Sequence, residues 1–133
     1  MAREAPVVER MYQFLRWLLE RINKFPRSQR FVLGDRMENT ALDILELLIE
    51  ANYSQEKREL LRRANLQLQK LRFLIRLAKD GHYLSLSQYE FSAQALNEIG
   101  SQIGGWLKER EKQKGQGKQS SVASRGDVGD AGG

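Results

Sequence analysis

The chain has 133 residues, of which 41% are hydrophobic and 29% charged, and this length fits one domain with a single core. Twenty-two Lys and Arg residues against seventeen Asp and Glu residues give a formal net charge of +5, which favours a polyanionic partner. The absence of cysteine excludes disulfides and thiolate metal sites, and a single histidine, His82, excludes a multi-histidine metal centre.

The first residues carry charges where a signal peptide needs an apolar run, and no uncharged apolar stretch is long enough to span a membrane. We therefore expect a cytoplasmic protein without a membrane partner. Only two prolines occur, Pro6 and Pro26, and clusters of β-branched residues with period-two alternation are missing. The pattern predicts an all-α fold.

Apolar residues spaced by three and four predict a first helix from Val7 to Phe25, ended by Pro26 because the residue before proline disfavours the α region. A second helix is predicted from Ser28 to Ala51. The predicted buried residues are Val7, Met11, Leu15, Leu18, Ile22 and Phe25 in the first helix, and Leu33, Met37, Ala41, Ile44, Leu45 and Leu48 in the second.

The third predicted helix runs from Ser54, its N-cap, to Lys79, and Gly81 is predicted to end it in the left-handed region. A capping box at 87–90 starts the fourth helix, which ends near Glu111. The predicted buried residues are Leu60, Leu61, Ala64, Leu68, Leu71 and Ile75 in the third helix, and Ala93, Leu96, Ile99, Ile103 and Leu107 in the fourth.

Short connections between long helices make neighbouring helices antiparallel, so we expect an up-down-up-down four-helix bundle over residues 1–111. Residues 112–133 contain many Gly, Ser and Lys residues, and Val122 and Val128 are their only large apolar side chains. Such a segment cannot offset its ordering entropy, so a disordered C-terminal tail is predicted.

The third predicted helix carries eight basic and two acidic residues between positions 54 and 79, a net charge of +6. Its candidate contacts with an anionic partner are Arg58, Arg62, Arg72 and Arg76, which share a sector about 80° wide, and Lys79. Arginine forks suit phosphate contacts, so this stripe is one candidate nucleic-acid surface. The alternative is a solvated face with ion pairs to the acidic second helix.

A smaller basic face lies opposite the core side of the first helix, and its members are Arg10, Trp17, Arg21 and Lys24. A tryptophan among cations favours stacking on a base or a peptide. The alternative is that Trp17 packs against a neighbouring subunit or covers its own helix.

Two predicted helices carry large apolar residues outside their core faces: Leu66, Phe73 and Leu77 on the third, and Phe31, Leu42 and Ile49 on the second. Large exposed apolar patches are rare on monomers, so these residues indicate an oligomer interface. The alternative is a wide core face.

The residues that most enzyme and cofactor sites need are missing. Phosphate-binding and dinucleotide-binding glycine patterns do not occur, and paired Glu-x-x-His motifs would need more than one histidine. A Ser-His-Asp arrangement would depend on His82, which lies in a predicted loop. We therefore expect a protein that is not an enzyme and holds no cofactor or metal.

Four runs in order along the chain carry a family resemblance: 28–36 (SQRFVLGDR), 45–52 (LELLIEAN), 71–78 (LRFLIRLA) and 98–108 (EIGSQIGGWLK). Over roughly residues 8–108 the chain resembles the accessory variability determinant family of diversity-generating retroelements. That family is related to four-helix bundle proteins encoded in intervening sequences of bacterial 23S ribosomal RNA.

The resemblance implies a non-catalytic homopentamer of four-helix subunits. Such an assembly binds the reverse transcriptase of its element and the template-repeat RNA, with DNA as a further nucleic-acid ligand, and supports mutagenic cDNA synthesis and retrohoming. The two basic faces would then contact nucleic acid or reverse transcriptase. The alternative is a stand-alone four-helix structural or ribosomal-RNA-associated protein without a polymerase partner.

Overall fold

The computed structural model describes the backbone of residues 4–121 and the side chains of residues 4–110. This part of the chain contains no strand and forms four long helices, α1 (Pro6–Ile22), α2 (Asp35–Tyr53), α3 (Lys57–Asp80) and α4 (Leu86–Ser121). A short helical turn at Arg27–Gln29 and a π-helical segment at Arg30–Gly34 lead into α2. The all-α prediction is confirmed.

The four helices form one antiparallel bundle. Each helix packs against the next one along the chain, and α4 also packs against α1 and closes the ring. The predicted core residues of α1 and α3 are all buried. In α2 and α4, three predicted core residues, Leu45, Ala93 and Leu107, are only partly buried. The buried helix residues that the prediction left out are Val8 and Phe14 in α1, Thr40, Leu47, Ala51 and Asn52 in α2, Ala78 in α3, and Ser92 and Ala95 in α4.

The junction between α1 and α2 differs from the prediction in two ways. Helix α1 ends at Ile22, because the backbone N–H of Phe25 donates to the carbonyl oxygen of Ile22 at 2.9 Å and turns the chain while Phe25 stays buried. The predicted continuous second helix is interrupted by the π-helical segment, which ends at Gly34. A Cβ atom at Gly34 would lie 2.8 Å from Cγ2 of Ile22, so glycine permits the close approach of the two helices.

Ser54 is not the N-cap of α3, contrary to prediction. Its Oγ accepts a hydrogen bond from the backbone N–H of Glu56 at 2.9 Å and shapes the turn, and the helix begins three residues later at Lys57. The Lys57 ammonium donates to the carbonyl oxygens of Ala51 and Ser54, both at 2.8 Å. Lys57 therefore satisfies carbonyl groups at the end of α2, which have no partner within that helix.

The prediction of a left-handed glycine at the end of α3 was also wrong. Gly81 has φ −82°, and His82 takes the positive φ of 66°. The N–H groups of His82 and Tyr83 donate to the carbonyl oxygens of Lys79 and Ala78, the paired bonds of a Schellman motif. Glycine is needed at position 81 for another reason, because a Cβ there would lie 2.7 Å from the Tyr83 ring.

Helix α4 begins with a capping box, but two residues before the predicted one at 87–90. The backbone N–H of Gln88 donates to Ser85 Oγ at 3.1 Å, and the backbone N–H of Ser85 donates to Gln88 Oε1 at 2.9 Å. These reciprocal bonds satisfy two donors at the helix start. Both serines are followed at the third position by Gln or Glu, so the sequence pattern alone does not distinguish them.

Helix α4 continues to Ser121, past the predicted end near Glu111. Seven of the eleven residues from 111 to 121 are Glu, Lys or Gln, through which an established helix propagates at low cost, and they outnumber the two glycines that oppose it. The predicted disordered tail lies, from residue 122 onward, outside the described residues and stays a prediction, as does the domain boundary at residue 111. No helix in the described part of the chain is long and apolar enough to cross a membrane.

Candidate nucleic-acid interface

The outer surface of α3 carries an exposed row of apolar side chains. Leu66, Phe73 and Leu77 are 56%, 68% and 56% exposed. Their spacings of seven and four residues place them on one face of the helix, turned away from its core side. We call these three residues the α3 ridge.

Basic side chains flank the α3 ridge on both sides. At 100° per residue, Arg62 and Arg76 lie on one flank and Arg63 and Lys70 on the other, and all four are exposed. The Nε atom of Arg76 lies 4.0 Å from a carboxylate oxygen of Asp80, a distance at the limit of an ion pair. The predicted stripe left out Arg63 and Lys70, although the same angular spacing applied to the whole helix identifies them.

Arg72, a member of the predicted stripe, is held against α4. Its Nη1 donates to Oδ1 of Asn97 at 2.8 Å, and its Nη2 donates to the carbonyl oxygen of Leu96 at 3.1 Å. A Cβ atom at Gly100 would lie 3.1 Å from Nη2, so glycine makes room for the guanidinium. Arg72 therefore links α3 to α4, and part of its donor set is already used.

The ends of the predicted stripe also differ from its exposed members, Arg62 and Arg76. Arg58 is partly buried near the start of α3. At the other end, the Lys79 ammonium lies 3.2 Å from an Asp80 carboxylate oxygen and 4.9 Å from the centre of the Tyr89 ring on α4. Lys79 thus forms an ion pair and a cation–π contact within the subunit.

The predicted basic face of α1 lies largely along the seam with α4. The Arg10 guanidinium pairs with the Glu98 carboxylate at 2.8 Å. Trp17 is partly buried, with its ring centroid 4.7 Å from that of Phe91, and the Arg21 guanidinium lies 5.9 Å from the Trp17 ring centre. Trp17 therefore packs against another helix of its own subunit, an arrangement that the sequence did not predict.

Lys24, the fourth residue of this predicted face, lies beyond the end of α1 and is exposed. The four residues therefore do not form one solvent-facing surface. The broadest exposed basic surface among the predicted sets is the one on α3.

The second predicted apolar set is dispersed. Phe31 is exposed in the π-helical segment, Leu42 packs against the core, and Ile49 lines a groove between α1 and α2. Phe31 and Ile49 are separated by eighteen positions, or about 27 Å of helix, so they do not form one patch. The wide-core interpretation applies to Leu42.

The side chains on the outer surface of α3 are suited to binding a partner. Within residues 4–110, no group of three or more His, Cys, Asp or Glu residues is placed to hold a metal ion. The α3 surface combines cations with apolar side chains, and such surfaces bind phosphates, carboxylates and apolar protein faces.

Comparison with known proteins gives one finding. A family model described as bAvd-like matches residues 6–110, nearly the whole described bundle. This match confirms the family resemblance seen in the four sequence runs. No curated protein and no solved structure gives a significant match.

Proposed function

Since the chain belongs to the bAvd-like family, we propose that it is a non-catalytic accessory protein that binds the reverse transcriptase and template-repeat RNA of a diversity-generating retroelement. In this role it acts in the cytoplasm as a homo-oligomer, a pentamer by family resemblance, and supports mutagenic cDNA synthesis and retrohoming. It needs no cofactor, and DNA is a further ligand of the same basic surface.

The observation that carries the proposal is the exposed surface of α3. Between Lys57 and Asp80 the helix carries eight basic and two acidic residues, and four of the basic side chains flank the α3 ridge. Repeated around a ring of subunits, these cations would produce a positive potential that a flexible polyanion can follow. The α3 ridge would supply the apolar contact between subunits.

Co-purification tests the function directly. The tagged chain is expressed with the reverse transcriptase of the proposed element and with a transcript of its template repeat, and we expect both to be retained on the affinity resin. A chain that retains neither the enzyme nor the RNA contradicts the proposal. That result would favour the stand-alone structural or ribosomal-RNA-associated alternative.

We predict that RNA binding depends steeply on salt and only weakly on sequence. Phosphate contacts release counterions, so the double substitution Arg62→Ala with Arg76→Ala should weaken binding and flatten the plot of log affinity against log salt. On single-stranded RNA, the slope should fall by about 0.7 for each phosphate that the variant no longer neutralises. Fluorescence anisotropy at several salt concentrations measures both effects.

The matched control is Arg16→Ala, because Arg16 is exposed on α1, the helix diagonal to α3 in the bundle. We expect its slope to equal that of the wild-type chain. Arg72 is avoided in this test, since its removal would also disturb the packing of α3 against α4. If the double variant keeps both affinity and slope, α3 is not the RNA-binding surface. If it loses only reverse transcriptase, the arginines contact protein carboxylates instead.

A further inference from the structure

A groove of about 280 Å³ lies between the first turns of α1 and the last turns of α2. Its apolar lining is Val8, Tyr12, Leu45, Ile49 and Tyr53, and its polar lining is Glu4, Glu9 and Asn52. Tyr12, Ile49 and Tyr53 are among the exposed large apolar side chains of the bundle, so the groove is open to solvent. We call it the α1–α2 groove.

Asn52, one of the lining residues, carries a hydrogen-bond donor that is buried and unpaired. The side chain is 6% exposed, and its Oδ1 accepts a hydrogen bond from the backbone N–H of Ala5 at 2.9 Å. Its Nδ2, by contrast, has no partner within the described part of the chain. A buried donor without an acceptor is costly, so a ligand whose carbonyl oxygen reached this atom would gain binding free energy.

The surroundings of the groove are acidic. Glu4 and Glu9 lie in the lining, and Glu46 and Glu50 are exposed on α2 nearby. None of these four carboxylates belongs to an ion pair formed among residues 4–110. The helix α2 as a whole carries five acidic residues and one arginine. This charge disfavours a polyanion and favours a cationic side chain.

The unpaired amide also restricts the conformation of the occupant. Carbonyl groups within an α-helix already accept hydrogen bonds from their own helix, so the middle of a helix such as the α3 ridge of a second copy has none to offer. An extended segment leaves its backbone carbonyls free and alternates its side chains between two sides.

We propose that the α1–α2 groove docks an extended segment of a partner protein. The segment places an apolar side chain against Ile49 and Tyr53, a backbone carbonyl at Asn52 Nδ2, and a lysine or arginine beside Glu4 or Glu9. This binding surface lies apart from the basic surface on α3, and it is independent of which protein supplies the segment.

A library of random peptides displayed on phage tests the proposal on the purified full chain. We expect the recovered sequences to combine Lys or Arg with Ile, Leu or Val. One recovered peptide is then synthesised and titrated into the ¹⁵N-labelled chain. The side-chain amide signal of Asn52 and the backbone amide signals of Ile49 and Tyr53 should shift.

Two variants and one control identify the site. Ile49→Glu places a carboxylate on the exposed apolar side of the groove and should lower the affinity for the peptide at least tenfold. Asn52→Asp keeps an oxygen for Ala5 and removes the unpaired donor, and it should also weaken binding. Leu86→Glu is the control, because Leu86 is 63% exposed at the opposite end of the bundle. The Leu86→Glu chain should bind the peptide with the same affinity as the wild-type chain.

Three results would overturn the proposal. One is recovery of acidic peptides or of no common sequence. Another is equal affinity in the Ile49→Glu and wild-type chains. The third is a lower oligomer mass of Ile49→Glu in light scattering, which would show that a second copy occupies the groove. Retention of reverse transcriptase and RNA is measured separately, so failure here is distinguishable from failure of the proposed function.

Discussion

Phe73→Glu is expected to convert the proposed oligomer into single subunits of 15.4 kDa. The wild-type pentamer would have a mass of about 77 kDa, five times that of the subunit. Phe73 is 68% exposed in the isolated subunit, so the substitution should leave the fold intact. At an apolar contact between subunits, however, an unpaired carboxylate is costly to bury. Light scattering at micromolar concentration measures the mass.

Leu66→Glu should have the same effect, because Leu66 lies two helical turns away on the same α3 ridge. The control is Leu86→Glu, an equally exposed leucine on α4, whose mass should stay that of the wild-type assembly. A wild-type chain that is already monomeric contradicts the oligomer. Two ridge variants that stay fully assembled would show that the subunits meet through another surface.

Gly34→Val is expected to lower the free energy of unfolding by about 2–3 kcal/mol, near the upper end of the range for overpacked cores. The new Cβ would lie 2.8 Å from Cγ2 of Ile22 and 3.8 Å from the Phe25 ring, and both of these side chains are buried. Either the Ile22 side chain or the backbone around Gly34 must therefore shift. Chemical denaturation at one fixed protein concentration measures the change.

Gly104→Ala provides the opposite control. Nothing lies within 4 Å of a Cβ atom at Gly104, which is exposed on α4. Alanine there should raise the free energy of unfolding by about 0.5–1 kcal/mol, since it is the better helix former. A Gly34→Val chain as stable as the wild type would mean that Ile22 moves aside at no cost.

The sequence predicted the interior of the helices better than their ends. The core faces of α1 and α3 follow from apolar spacing alone, since a 3.6-residue period places such residues on one side of any helix. The exact ends of the helices are harder to predict, because neighbouring residues of similar chemistry can each serve as the cap. Ser85 and Ser87 both fit a capping box, and backbone geometry selected Ser85. Gly81 was the expected left-handed residue, yet His82 adopts that conformation.

By itself, the sequence determined the four-helix class and the basic character of α3, because both depend on composition and periodicity within single segments. It also determined the family, through the resemblance carried by four sequence runs. Only the tertiary structure decided which polar side chains remain exposed. Arg72 and Trp17 lie at the edges of their helix faces. Arg72 is partly buried because it donates a hydrogen bond to Asn97 on α4, and Trp17 is partly buried because its ring packs against Phe91 on α4. The α1–α2 groove likewise exists only where two helices meet, so no pattern within either helix could reveal the unpaired donor of Asn52.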